Sequence, residues 1–297
     1  MASGDRAGPD IPLRSKLLYK LRRAPAWMWA HKIKVLFFVI GFYVIGELLT
    51  IPYLDIALLA HGNPGETALM KQRIGEAEVQ GKTLTISQRW IPLSRIPRFA
   101  LDAIVVAEDG TFYAHGGIDW FEIQESIERN FREGRAARGA STITQQLAKN
   151  LYLSTSKTPM RKLKEVIIAF LLEKHLTKNR ILELYVNAIE WGRGVFGIEA
   201  AARAYFGKPA NTLTLDEAVR LAAVIPSPLS HRPDTNSRYV LRRKQIVLNR
   251  MAARGDTHVP LFTREKPEAP SIEGAETQDA MEDTVVIDTA ENGHDGS

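Results

Sequence analysis

The chain has 297 residues, of which 45% are hydrophobic and 25% are charged, a balance that excludes a mostly disordered protein or a collagen-like fibre. It contains no cysteine, which excludes a disulfide framework, a cysteine nucleophile and thiolate-bound metal centres. The net charge of +5 hides an asymmetry, because residues 1–34 hold eight basic and two acidic side chains, whereas residues 264–297 hold two basic and ten acidic ones.

An apolar stretch over residues 35–54 contains one charged residue, Glu47. At ~1.5 Å per residue its length matches the ~30 Å hydrocarbon core of a bilayer, so we predict a transmembrane helix. A buried core helix or a signal peptide is the alternative, although a preceding segment of 34 residues is too long for an ordinary signal peptide. Basic flanks stay on the cytoplasmic side. The sequence therefore predicts a basic cytoplasmic segment over 1–34 and a single-pass anchor over 35–54, with the remainder outside.

Helical periodicity dominates residues 86–255. Apolar residues recur at offsets of three, four and seven over 101–108 and again over 163–170. A further helix is predicted between Thr214, a good N-cap residue, and Pro226, which stops a helix. Strand-like alternation is confined to the neighbourhood of residues 83–86. These patterns predict one mostly α domain over 86–255.

Two segments flank this domain. We predict a linker or juxtamembrane segment over 55–85. Residues 256–297 are rich in acidic and small polar residues and poor in large apolar ones, so they cannot bury enough surface to offset the entropy of ordering. An acidic disordered tail is therefore predicted there.

The first motif with chemical potential is Glu108-Asp109-x-x-Phe112-x-x-His115-x-Gly117, at the end of a predicted helix. A carboxylate held in a cleft at such a point suits a general base. Asp109 and His115 would then hydrogen-bond the turn that presents Glu108. A solvated acidic helix end with a structural histidine is the alternative.

The second motif begins after Gly139, and its polar residues are Ser141, Thr142, Gln145, Gln146, Lys149 and Asn150. Ser141 or Thr142 is predicted to cap a helix. A helix N-terminus with free N–H groups, hydroxyls and a nearby ammonium suits a ligand that bears phosphate. An ordinary polar helix face explains the same composition.

The third motif, Arg161-Lys162-x-x-Glu165, places one carboxylate and two cations on one helical face. Surface salt bridges worth ~0–1 kcal/mol are the common outcome of such a pattern. Two carboxylates on separate helices, Glu108 and Glu165, with cations beside the second, nevertheless fit sugar transfer from a phosphate leaving group. A fourth run, 178–187, leads into a Gly-x-Gly-x-x-Gly pattern that follows a helix, so no dinucleotide site is predicted.

Taken in order, these motifs resemble the peptidoglycan-polymerising domain of glycosyltransferase family 51, and the resemblance covers about residues 86–254. It implies a lysozyme-like α fold with a small membrane-facing jaw. The implied substrate is lipid II, polymerised into β-1,4 glycan strands with inversion and release of undecaprenyl pyrophosphate. No transpeptidase motif follows, so the chain resembles the monofunctional biosynthetic peptidoglycan transglycosylases.

The resemblance also implies individual roles. Glu108 is the expected general base, and Glu165 is expected to be a second catalytic carboxylate and a ligand of a divalent cation, commonly Mg²⁺. Lys149, Arg161 and Lys162 are expected to contact the leaving group. The other expected substrate-binding residues are Asp109, Phe112, His115, Ser141, Thr142, Gln145, Gln146 and Asn150. Lys157 departs from the family's usual Arg, which weakens one expected phosphate contact.

The expected partners are lipid II, the nascent glycan strand, the membrane and other cell-wall synthesis or division proteins, without nucleic acid. The expected location is the cell inner membrane with a periplasmic catalytic domain. Two other functions compete. A lysozyme-like hydrolase would use Glu108 to cleave glycan, but it would need neither the cations nor the anchor. A non-catalytic scaffold would have no need of both carboxylates.

Overall fold

A computed structural model of the chain describes residues 31–133 and 141–255. The predictions for the basic segment before residue 31, for Gly139 and for the tail 256–297 lie outside these residues. The described part is mostly α, as predicted. Its helices are α1 Lys32–Leu49, α2 Tyr53–Leu58, α3 Ala68–Val79, α4 Arg98–Glu108, α5 Trp120–Glu133, α6 Ile143–Tyr152, α7 Pro159–His175, α8 Lys178–Ala188, α9 Ile198–Phe206, α10 Leu215–Val224 and α11 Arg238–Ala253.

Helix α1 has almost all of its apolar side chains exposed. By length and composition it can cross a membrane. The helix begins before the predicted span and ends at Leu49, earlier than predicted, because the chain turns at Thr50 and Ile51 is buried in the folded domain. At this end, Lys164 of α7 forms an ion pair with Glu47 and donates a hydrogen bond of 2.8 Å to Thr50 Oγ1.

Residues 55–85 are part of the fold, which corrects the predicted linker. Helix α2 packs against α7, and α3 packs against α6. Ile56 and Leu59 belong to the main core, whereas Leu69 and Met70 form a small second cluster with Phe196. The folded domain therefore begins near Ile51, some 35 residues before the predicted boundary at 86.

Two groups of helices surround the main core. Helices α4, α10 and α11 pack together, and α6 packs against both α7 and α8. Within α4 the predicted periodicity matches burial, since Ile104 and Val105 are buried. In α7 the helix is as predicted, but the apolar stripe is not its buried face: Leu163 and Phe170 are 42% and 46% exposed. The face that turns inward contains Glu165 instead, with 3% exposure.

The start and end of α10 follow from its sequence. Thr214 caps the helix, with its side chain accepting a hydrogen bond from Glu217 N while the Glu217 carboxylate accepts one from Thr214 N. This reciprocal cap satisfies two backbone donors that would otherwise have no partner. The helix ends at Val224, just before Pro226, as the sequence predicts.

A small sheet of three short strands lies beside the helices in the order β1–β3–β2, with β1 Ser87–Gln88, β2 Glu190–Gly192 and β3 Val195–Phe196. Strand β1 pairs parallel to β3, and β2 pairs antiparallel to it. The predicted strand at 83–86 is thus displaced by a few residues. Gly194 and Gly197 adopt φ of +74° and +83°, and a Cβ at either position would lie within 2.8 Å of a backbone oxygen. Close chain packing therefore explains these glycines.

Candidate active site

Glu108 is the last residue of α4, and its side chain is half-buried. Gln146 of α6 donates a hydrogen bond of 2.9 Å to Glu108 Oε2, and Tyr185 of α8 donates one of 3.0 Å to Gln146 Oε1. These two bonds fix the orientation of the carboxylate. No residue in the described ranges donates to Glu108 Oε1, so this oxygen remains available to accept a proton.

The surroundings of Glu108 raise the pKa of its carboxyl group. Burial is the main cause because it disfavours the charged form. The hydrogen bond from Gln146 and the charges of Arg243, Lys149 and Arg250 act in the opposite direction and lower the pKa. A carboxylate with a raised pKa holds a proton more strongly, which is a property of effective general bases near neutral pH.

Asp109 and His115 order the turn that follows Glu108. His115 Nε2 donates to Asp109 over 2.9 Å, while His115 Nδ1 accepts a hydrogen bond of 3.2 Å from Gly117 N. Asp109 Oδ2 also accepts from Ile143 N, the first residue of α6, over 2.9 Å. The Asp109 side chain is only 3% exposed. These residues therefore join the end of α4 to the start of α6, which is the structural role that the sequence allowed for them.

Phe112 lies beneath this turn and is fully buried. The ammonium group of Lys178 lies 4.4 Å from the centre of its ring. Such a cation over an aromatic face stabilises the packing of both groups. Phe112 is thus a core residue beneath the site and not an exposed binding residue.

Asp109, His115 and Asp119 bring their ligand-type atoms within 4.8 Å of one another. Their oxygens, however, already accept hydrogen bonds. Asp109 accepts from His115 and from a backbone N–H, and Asp119 accepts from Thr111 Oγ1 and from the N–H of Glu122. A divalent cation would have to displace these donors, so this cluster fits a structural network better than a metal site.

Thr142 and Gln145 form a reciprocal cap at the start of α6. Thr142 Oγ1 also donates a hydrogen bond of 2.6 Å to Gly117 O. Both side chains are buried, with 4% and 2% exposure, and so is Asn150 with 6%. The structure therefore buries these three predicted binding residues, whereas Gln146 and Lys149 are half-buried.

Glu165 on α7 is buried and paired with both cations of its motif. Arg161 Nη1 contacts Glu165 Oε2, and Lys162 Nζ contacts Glu165 Oε1. Lys162 also donates a hydrogen bond of 3.1 Å to Ser141 Oγ, which joins the third motif to the second. Because each Glu165 oxygen already has a cationic partner, these residues do not fit a divalent metal ion, contrary to the role expected for Glu165.

Burial is the main cause that lowers the pKa of Lys149 on α6, and Arg161 and Lys162 lower it further. Lys149 is also subject to the charges of both Glu165 and Glu108, which act in the opposite direction on its pKa. The Lys149 ammonium group makes no hydrogen bond or ion pair with any residue of the described ranges. It is a half-buried cation that is free to meet an anionic ligand. Lys157, by contrast, is exposed on the loop before α7.

Helices α11 and α8 contribute residues that were not predicted from the sequence. The charges of Arg243 and Arg250 on α11 both lower the pKa of Glu108, and Tyr185 on α8 orients Gln146 through a hydrogen bond. A signal for Arg243 is present in the sequence. It lies three residues after Val240 and four before Val247, in the apolar stripe that α11 buries. A cation in such a stripe indicates a partner on the facing element.

Comparison with known proteins identifies the family of the chain. The family model described as Transglycosylase matches residues 76–252. Curated relatives named biosynthetic peptidoglycan transglycosylase include one from Nitrosospira multiformis, 40% identical over 231 residues, which cover 76% of this chain and 96% of that protein. One from Janthinobacterium sp. is 40% identical over 220 residues, 73% of this chain and 95% of the relative. One from Neisseria gonorrhoeae is 39% identical over 231 residues, 78% of this chain and 95% of the relative.

Proposed function

The chain belongs to the transglycosylase family, and we propose that it is a monofunctional peptidoglycan glycosyltransferase of bacterial cell wall synthesis. It joins lipid II units into β-1,4 glycan strands and releases undecaprenyl pyrophosphate. The observation that carries this proposal is the hydrogen bond from Gln146 to Glu108, which places the proposed base beside α6, the helix that also bears the half-buried Lys149 three residues further on. A proton acceptor and a cation for a phosphate leaving group therefore lie on adjoining helices.

Glu108 removes the proton in this reaction. The acceptor sugar hydroxyl attacks the anomeric carbon of the donor, and the bond from that carbon to the pyrophosphate oxygen breaks with its electron pair. The hydroxyl proton passes to Glu108 Oε1, the oxygen without a hydrogen bond in the described part of the chain. Attack from the face opposite the leaving group inverts the configuration at the anomeric carbon.

The cations stabilise the negative charge that grows on the departing pyrophosphate. Arg161 and Lys162 are held in place by Glu165 before substrate binds, so no reorganisation is needed during the reaction. Lys149 completes the set. Glu165 therefore acts as a positioning residue for two cations, in place of the catalytic and metal-binding roles that the family resemblance implied.

The cations also distinguish glycan synthesis from glycan cleavage. A hydrolase that cuts between sugars releases an uncharged hydroxyl and has no use for cations facing the leaving group. The ion-paired Arg161 and Lys162 together with the unpaired Lys149 therefore favour transfer from a phosphate.

Helix α1 supports a membrane anchor for this enzyme. We place the basic N-terminal segment in the cytoplasm and the catalytic domain in the periplasm, at the inner membrane, because Lys and Arg flanks are retained on the cytoplasmic side. The lipid-linked substrate and the nascent glycan strand are then met at the outer face of that membrane. Further partners among cell-wall synthesis or division proteins stay a prediction.

Incubation of the purified full-length protein with labelled lipid II, followed by gel separation, tests the proposal. We expect a ladder of glycan polymer from the wild type and at least ~100-fold less from Glu108→Gln, the low end for loss of a general base. A parallel sample receives preformed glycan. Cleavage of that glycan without polymer formation would identify a hydrolase, and no reaction with either substrate would contradict an enzymatic function.

A further inference from the structure

Arg243 has an unusual environment on α11. Its Nε atom is buried and has no hydrogen-bond partner among the residues that the structure describes. The residue belongs to a stripe whose neighbours Val240 and Val247 are fully or nearly fully buried. A buried guanidinium donor without an acceptor is rare in folded proteins, and each example calls for an explanation.

The packing of α11 directs this stripe towards the general base. Helix α11 packs against α4, whose last residue is Glu108. Arg250, seven residues after Arg243 and so on the same face, donates 3.4 Å hydrogen bonds to the carbonyl oxygens of Val106 and Ala107 in the last turn of α4. Arg250 thus caps the helix that presents Glu108, while Arg243 makes no such bond.

We propose that Arg243 is a positioning residue of the transfer reaction, which keeps Glu108 ionised without occupying the oxygen that accepts the proton. A general base needs a negative charge and a free lone pair at the same time. A hydrogen bond from a cation would supply the charge balance but would fill the lone pair. The charge of Arg243 lowers the pKa of Glu108 without a hydrogen bond between the two groups, so Arg243 supplies the charge balance and leaves the lone pair free. Arg243 Nε and Glu108 Oε1 both lack hydrogen-bond partners within the described ranges.

The charges around Glu108 support this role. Burial raises the pKa of Glu108, the Gln146 hydrogen bond lowers it, and Arg243 is the cation with the largest lowering effect. Arg243 is thus well placed to offset the cost of burying the charged carboxylate. The other titratable groups near this carboxylate are Lys149 on α6, Tyr185 on α8, Arg250 on α11 and the neighbouring Asp109.

The inference rests on the proposed function, and its test is the pH profile of lipid II polymerisation by the full-length protein. Without Arg243 the pKa of Glu108 rises further, so activity is lost first on the acid side. For Arg243→Gln we expect kcat/KM relative to wild type to be ~3–10-fold lower at about pH 5.5 than at about pH 8.5. Arg243→Lys keeps the charge and is expected to restore the wild-type shape.

Arg242→Gln is the matched control, because Arg242 is the neighbouring residue, exposed and without a partner in the described part of the chain. Its profile is expected to match that of the wild type. A loss with Arg243→Gln that is equal at all pH values, or no loss, would overturn the inference. A wild type that fails to polymerise lipid II would instead contradict the proposed function.

A folding defect in Arg243→Gln is covered by a second variant. If the charge of Arg243 balances that of Glu108, the double variant Glu108→Gln/Arg243→Gln no longer needs the cation. Thermal melts at neutral pH are then expected to show a larger gain in Tm from Glu108→Gln in the Arg243→Gln background than in the wild type. An equal gain in both backgrounds would show that Arg243 does not balance the charge of Glu108 and serves only packing.

Discussion

Replacement of Lys162 by Met separates catalysis from stability at the third motif. Lys162 lies against Glu165 and Ser141, yet its side chain is still 43% exposed. Arg161 remains paired with Glu165 in the variant, so the buried carboxylate keeps one cationic partner. The substitution therefore removes a charge from the cleft without leaving Glu165 unpaired.

The structure sets the size of the two effects. Because the Lys162 side chain is 43% exposed and Arg161 still neutralises the buried Glu165, loss of this ion pair should cost ~1 kcal/mol of unfolding free energy, the upper range for exposed pairs. In a domain of this size that corresponds to a Tm shift of ~2–4 °C. A cation that stabilises charge developing in the transition state is worth ~2–4 kcal/mol, by analogy with removed oxyanion-hole donors, and that is a loss of ~30- to 1000-fold in kcat.

The assay combines thermal melts with steady-state polymerisation of lipid II, from which kcat and KM are obtained separately. We expect kcat of Lys162→Met to fall far more than KM rises, because the contact is strongest in the transition state. Lys174→Met is the control, since Lys174 lies on the same helix, exposed and without a described partner. A Lys162→Met protein that melts lower but turns over like Lys174→Met would refute the leaving-group role and leave a surface salt bridge.

Four further expectations follow from the site and the anchor. At neutral pH Glu108→Gln should melt at or above the wild-type temperature, and this advantage should vanish below the ordinary pKa of Glu. The raised pKa of Glu108 means that its ionised form costs stability as the pH rises, which paired melts at about pH 4 and 7.5 will test. Treatment with EDTA should change the polymerisation rate by less than ~3-fold, because the side chains of Arg161 and Lys162 already pair with Glu165. A loss comparable to the ~10²-fold loss expected for Glu108→Gln would contradict this expectation. A reporter fused after Gly296 should be active only outside the inner membrane and one fused before Ile33 only inside, and the reverse pattern would contradict the proposed anchor. A protein truncated after Gly255 should polymerise lipid II at the wild-type rate in a purified assay, since the removed segment contains no motif; a large fall would show that the segment takes part.

Helices could be predicted from the sequence where one face of the helix packs on the core and the opposite face is exposed to solvent. Helix α4 is such a case, and its predicted end at Glu108 is where the structure ends it. The Thr214 cap and Pro226 stop of α10 are local signals that the fold respects. The order of the motifs along the chain was enough to identify the family. These features depend on residues close together in the sequence.

The features that escaped prediction depend on contacts between distant segments. The stripe from Leu163 to Phe170 has helical spacing, but periodicity alone does not tell which face a helix buries. In α7 the inward face contains Glu165, because the cations beside it compensate the charge. Similarly, the apolar stripe around Arg243 indicates a partner on a facing element, but nothing in the sequence identifies that partner as Glu108, 135 positions earlier on another helix.

Helix α7 contacts the end of the proposed anchor helix and bears the cations of the third motif within a single turn. Lys164 contacts Glu47 and Thr50 at the end of α1, while Arg161, three residues earlier, holds Glu165. Three residues of α-helix rise only ~4.5 Å along the axis. If α1 crosses the bilayer as proposed, Arg161 and Lys162 bind the pyrophosphate of the substrate at nearly the depth of the surrounding lipid phosphates. The polyprenyl chain then keeps its tail in the hydrocarbon layer throughout the reaction, and the spent carrier leaves by lateral diffusion without being lifted from the membrane.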